Sequence, residues 1–362
     1  MVGRAKQLLK DDLDSYMTAW LAYRESSVLR MGGRRDESHN ALERFVQSTV
    51  SPGHGGRCEA NPRYNAQRGN LIVSFTENLI QDGKLDEAKS ELDKWSPLHP
   101  TARSALERIT ARARDITLGK ILKCQGLFGE ALVFLERILE DSRVDDFFEG
   151  TGWYRVLLSN VADLYCESGR PQDAEEILLQ ELKPMMENGT QDISTGKRLR
   201  LSLVETFLER NMFDAAEEAL LLLKNANEGI KKRDHVTDLT MFRVWIGLAR
   251  VFHKQSRWDM ALSYWSQALT ATERLKMSRG YNAGIVQYSI AHALHVTGEK
   301  TQSHNALREA KICLASEQCM FWLAGFNSHW RDYVVSVMEN ECRGNCDVQE
   351  SITAQSGGLR ST

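Results

Sequence analysis

Proline is scarce in this chain, six among 362 residues, and nowhere does a run of about 18 apolar residues occur. The first scarcity removes the strongest helix breaker. With abundant Leu, Ala and Glu, it favours helix and argues against a β-sandwich or a disordered chain. The second leaves no expected membrane span. The opening MVGRAKQLLKDDLDSYMTAW passes from one basic turn to acids without the apolar core of a signal peptide. An excess of one charge sign is also missing. A net charge of -3 gives no reason to expect nucleic acid or an anionic membrane as partner. The seven cysteines (Cys58, Cys124, Cys166, Cys313, Cys319, Cys342 and Cys346) are odd in number and scattered, which fits reduced thiols and a cytoplasmic location better than a disulfide framework. The sequon Asn188-Gly189-Thr190 then reads as a coincidence in a loop.

Catalytic signatures are lacking too. There is no phosphate loop of the GxxxxGK type, no GxGxxG after a strand and no GxSxG elbow. His292 and His295 lie three apart on one expected helix, with His253 across from them, but no carboxylate stands at a fixed spacing to complete a metal site. Cys342-x3-Cys346 does not have zinc-ribbon spacing. The expectation is therefore no catalytic residue, no metal and no cofactor. Trp245, Trp258 and Trp265 fall at packing positions and read as core rather than as a cofactor pocket.

What is present is a repeat. Turn residues Gly83, Gly126, Gly169, Asn211, Ser256 and Gly298 follow one another at intervals of 43, 43, 42, 45 and 42 residues. Four residues before each stands a large apolar side chain: Leu79, Leu122, Tyr165, Phe207, Phe252 and Leu294. Seven before it the residue is usually small, as at Gly119, Ala162 and Ala249. Five after it comes alanine, at Ala88, Ala131, Ala174, Ala216 and Ala261, with Ser303 in the last unit. Nine after it come Leu92, Leu135, Leu178, Leu220, Trp265 and Leu307. Steps of three and four gather apolar residues on one helix face. A left-handed turn residue ends the helix, and small residues on both arms let the backbones approach. One such hairpin cannot bury its own apolar face, so the units must stack.

Runs such as VADLYCESGRPQDAEEILL, LGKILKCQGLFGEALVFLERIL and WIGLARVFHKQSRWDMALSYWSQAL resemble the tetratricopeptide repeat family. The long spacing is similar to the extended variety in kinesin light chains. The resemblance implies an all-α, right-handed α-solenoid of stacked antiparallel helical hairpins. Six repeats are expected over 66–318, after an N-terminal helical cap and loop over 1–65. In the cap Leu13, Met17, Trp20, Leu21 and Val28 follow helical spacing. A capping helix over 319–340 and a disordered tail over 341–362 are expected to close the chain. Lys300 and Ser303 depart from the pattern and predict loose packing of the sixth unit's second helix.

In such an array the first helix of each pair lines an inner face. The positions opposite the intra-pair seam supply the candidate partner-binding residues: Lys120, Lys123, Asp163, Glu205, Arg243, Arg250, His253, Lys254, Tyr288 and His292, with Ser159, Cys166 and His295 beside them. Arg243, Arg250 and Lys254 are expected to engage carboxylates of a bound peptide. The lysine and asparagine constellation by which some family members hold chaperone tails is missing. The reading is a non-enzymatic scaffold or adaptor for a peptide or partner protein. Two alternatives stand beside it. One is a regulatory or sensor module resembling the repeat regions of fungal NTPase switch proteins, which would leave an exposed apolar flank at its N-terminal helices. The other is a small-molecule-binding accessory factor or enzyme around Tyr288 and His292.

Overall fold

The structure, a computed structural model, describes residues 16–31, 34–49, 61–98, 104–228, 235–275, 277–315 and 328–340. Among the described residues every regular element is a helix. Of the loop expected over 50–65, residues 50–60 lie outside them and Pro62–Asn65 instead open a helix capped by Asn61; the start of the capping segment at 319–327 and the tail at 341–362 also lie outside them.

Two helices lead, α1 (Tyr16–Met31) and α2 (Arg35–Thr49). Hairpins follow: α3 (Pro62–Gln81) with α4 (Leu85–Leu92), and α5 (Ala105–Cys124) with α6 (Phe128–Ser142). After the one-turn α7 (Asp146–Glu149) come α8 (Gly152–Glu167) with α9 (Pro171–Glu187), and α10 (Ser194–Glu209) with α11 (Phe213–Glu228). The last pairs are α12 (His235–Lys254) with α13 (Trp258–Arg274), and α14 (Tyr281–Val296) with α15 (Lys300–Leu314). A final helix, α16, covers 328–340. The chain divides into two compact units. The first extends through Val244, and the second begins at Trp245 and includes α16.

Each corner is built the same way. Gly83, Gly126, Gly169, Asn211, Ser256 and Gly298 all have positive φ. The amide after each reaches the carbonyl five residues back: Leu127 N to Leu122 O at 3.0 Å, Arg170 N to Tyr165 O at 2.7 Å, Arg257 N to Phe252 O at 2.8 Å. The turn amide itself bonds three residues back, as from Gly169 N to Cys166 O at 3.1 Å. This pair of bonds is the Schellman termination, which satisfies the last carbonyls of the helix and reverses the chain. Helix starts are fixed as locally. Asn61 caps α3 before Pro62, Ser104 and Glu107 form a capping box on α5, and Thr151 caps α8.

The small residues sit where the arms touch. Ala88, Ala131, Ala174, Ala216 and Ala261 are fully buried. A Cβ on Gly119 would stand 2.4 Å from Leu135 Cδ2, so only glycine lets α5 and α6 approach this closely. Around that contact Leu135, Phe148, Leu157, Val161, Leu178 and Leu199 form a continuous core through the middle repeats of the first unit. Where α4 stops short, Trp95 fills the place of the missing turns and donates its Nε1 proton to Asn65 O at 2.8 Å.

Two further expectations are corrected. The cap turns Ala19, Leu21 and Ala22 inward, while Met17, Trp20 and Val28 are exposed at 48%, 38% and 60%. Leu13 lies outside the described residues. The sixth hairpin is not loose. Ser303 is buried and its Oγ donates to Ala291 O at 2.8 Å, replacing an apolar contact by a satisfied hydrogen bond. Gly284 meanwhile lets α15 approach until a Cβ there would lie 2.7 Å from Leu314 Cγ.

Candidate functional site

In the first unit the residues expected on the inner face hold one another. Lys120 pairs with Glu77, at the equivalent position one repeat earlier, and Lys123 Nζ lies 2.6 Å from Asp163 Oδ2. Asp163 Oδ1 also accepts from Ser202 Oγ at 2.9 Å. Ser202 and Ser159 share a hydrogen bond of 2.9 Å, and Arg198 Nε donates to Ser159 Oγ at 3.3 Å. Consecutive first helices are thus stitched by charge and hydroxyl contacts. Burial pushes the Glu77 carboxyl up, but Lys120, with Arg30 and Arg198, more than reverses this and holds it below the ordinary range. Asp163 behaves alike: burial raises it, and Lys123, Arg243 and Ser202 bring it below its usual value. The neighbouring thiols of Cys124 and Cys166 are buried. Burial raises both, Cys124 to about 11, so neither is a thiolate nucleophile at neutral pH.

Arg243 differs from the rest of this row. It lies in the field of Asp163 and Glu205 and is repelled by Arg198. Burial pulls its guanidinium below the ordinary arginine range. Its Nε is buried with no hydrogen-bond partner among the described residues, and no ion pair of Arg243 is closed at contact distance. A cation withdrawn from water without a bonded anion is costly. Glu205, also buried, is the α10 acid in whose field it lies.

In the second unit the expected residues converge, but α16 covers them. His253 Nδ1 lies 3.3 Å from Trp265 Nε1, which can only donate. His253 is therefore neutral with its proton on Nε2, and that proton points at His292 Nδ1 2.7 Å away. Burial lowers the His253 imidazole to about 3, helped by His292 and Lys254. Trp258, Trp265, Trp330 and Tyr333 surround it, with Trp330 centred 5.2 Å away. The Trp330 Nε1 proton goes to Ser289 Oγ at 3.1 Å. Arg250 lies 5.4 Å from the centre of the Trp330 ring, and Lys254 Nζ stands 3.9 Å over Tyr333. Tyr288 is buried, as are Arg250 and His253. The corner around Tyr288 and His292 read as a small-molecule site is thus filled by the protein's own aromatic rings. His295, three residues on from His292, is half-buried.

The repeat register places Lys120, Lys123 and Asp163 on first helices, where each contacts the first helix of a neighbouring repeat. It misses Arg198 as a member of the first unit's network, and it misses Trp330 and Tyr333 as neighbours of the histidines. The period marks which face of each first helix is polar. The Trp330, Val334, Met338 spacing marks α16 as amphipathic without saying where its stripe is seated.

No protein-family model and no curated protein matches the chain. Solved structures do. A Rap protein complexed with Competence and Sporulation Factor superposes with a TM-score of 0.58 at 12% identity, over 83% of this chain and 78% of that one. NprR in complex with its cognate peptide NprX superposes with a TM-score of 0.58 at 10% identity, over 94% of this chain and 88% of that one. At this identity the likeness shows the fold, a tetratricopeptide-type helical repeat.

Proposed function

We propose that the chain is a non-enzymatic scaffold that binds a peptide or partner protein on the inner face of its first unit, with Arg243 and Arg198 receiving a carboxylate of that partner. Arg243 carries the reading. Lys120, Lys123 and Asp163 are paired with neighbours, while this half-buried guanidinium has a buried, unbonded Nε. An incoming carboxylate supplies the missing anion in a charge-assisted contact that strengthens where water is excluded. Lys120, Lys123 and Asp163 shape the floor and keep it rigid through their pairs. Peptides or proteins, rather than nucleic acid or membrane, fit this mixed-charge face. NprR, which shares the fold, is solved with a cognate peptide, and we carry that ligand class across. The 42- to 45-residue period supports units of the extended type found in kinesin light chains.

The test is a peptide array in which each sequence appears with acidic side chains and a free C-terminus, and again amidated with Asn and Gln in their place. The full chain should retain carboxylate-bearing members, and Arg243→Met should weaken them at least tenfold. Equal retention of both forms contradicts the reading. A regulatory-module reading draws on one observation, the outward apolar stripe of Met17, Trp20 and Val28 on α1.

A further inference from the structure

In the first unit, the inner-face positions of successive repeats carry Glu77, Lys120, Asp163 and Glu205, a row of water-tolerant side chains. The same repeat positions in the second unit carry Arg250 and His292, with His253 and Lys254 one turn on. There the polar row lies beneath the apolar stripe of α16, whose Trp330, Val334 and Met338 are buried at spacings of four. Asp332, Ser336, Glu339 and Asn340 stay exposed on its other side.

A helix that merely continued the stack would touch the preceding repeat alone, because each unit of a solenoid packs on its neighbours. Trp330 does more. It bonds Ser289 of the sixth repeat and also stacks against Trp265 of the fifth at 5.9 Å, with His253 and Arg250 of that repeat around it. It therefore lies across the inner face, spanning two repeats as a ligand in a groove does. The seam is also unlike the seams within the hairpins. Those join mainly alanine and leucine, whereas this one sets Trp330 on the His253 imidazole, a serine hydroxyl, a guanidinium and the Trp265 ring. A single helix in a protein draws most of its stability from packing, so the order of residues 328–340 depends on this contact.

We propose that α16 is an intramolecular ligand of the second unit. It is seated reversibly on a surface whose partner is an amphipathic helix with a tryptophan anchor and apolar residues four and eight places further on. Such a partner binds by replacing α16, as amphipathic helices enter apolar grooves, and the tethered copy weakens its apparent affinity through high effective concentration. The proposal concerns the second unit and stands whether or not Arg243 binds a carboxylate.

Two measurements on the full chain test it. In hydrogen exchange of the unaltered protein, amides of 328–340 should exchange at least tenfold faster than those in the middle of α14. Equal protection makes α16 an integral part of the stack and overturns the proposal. A fluorescent peptide with the sequence of residues 328–340 should bind Trp330→Ala at least tenfold more tightly than the unaltered chain, and the same peptide with Trp changed to Ala should bind neither. Equal binding to both proteins, or none to the variant, overturns it as well. If Trp330→Ala melts the second unit, seen as loss of helical circular dichroism, the exchange comparison on the unaltered chain decides alone.

Discussion

Single residues in this protein are under two kinds of constraint, conformational and electrostatic. Ser256 illustrates the first. Its φ of 58 places a serine where four of the six corners use glycine, and it ends α12 by the same pair of hydrogen bonds. A side chain in the left-handed region costs about 1 kcal/mol. Glycine also raises the entropy of the unfolded chain. The first effect is the larger, and Ser256→Gly is expected to stabilise the second unit by about 0.5 kcal/mol, measured by urea unfolding. His253 illustrates the second. Its imidazole titrates at about 3 in the folded chain against 6.5 unfolded. Between these values the unfolded chain binds the extra proton, so stability falls as pH drops below about 6.5. Going from pH 7 to pH 5 should therefore remove on the order of 2 kcal/mol. His253→Gln cannot take up that proton, and its stability should change less over the same interval. Tryptophan fluorescence melts at the two pH values compare the slopes, so any constant cost of the substitution cancels.

At the scale of elements, the hairpin is the unit of design, and its tolerance is set by the closest approach of its arms. Gly119 faces Leu135, which is fully buried and has no room to move aside. Gly119→Ala gains helix propensity of about 1 kcal/mol yet forces a methyl into that side chain. The net expectation is a destabilisation of roughly 1–3 kcal/mol, seen as a lower urea midpoint at unchanged slope. This level was legible in the sequence because corner, small residue and leucine recur in register, and each has a local cause. The six turn residues chosen from spacing all have positive φ, as do Gly189 and Gly280. The fit of α1 was less legible. Met17, Trp20 and Val28 have helical spacing, but Ala19, Leu21 and Ala22 form the buried side. With several apolar residues on both sides of a short helix, periodicity does not decide which faces in. The sixth hairpin misled for another reason. A serine in an alanine position reads as a packing defect until the carbonyl that satisfies it, Ala291 O, is known.

For the whole molecule, the repeat register gave the polar first-helix positions, but not their partners. Which charge meets which depends on contacts 39 to 43 residues apart in sequence, such as Lys123 with Asp163, Ser159 with Ser202 and Ser202 with Asp163. A single sequence gives no measure of these. That is why Lys120 and Arg243 read alike in the sequence and differ in the fold: one is paired to Glu77, while the other has a buried Nε with nothing to bond. Arg250 and Lys254 read as carboxylate hooks, yet they lie against the rings of α16.

The account rests most on Arg243 being kept for a partner and not for the fold. The direct measurement is the melting temperature of Arg243→Met beside its affinity for a carboxylate peptide retained by the unaltered chain. Removing a half-buried cation whose Nε is buried without a partner, while Asp163 keeps Lys123 and Ser202, is expected to leave the melting temperature unchanged or raise it, and to reduce affinity at least tenfold. A variant that melts several degrees lower and still binds the peptide as before would contradict the account.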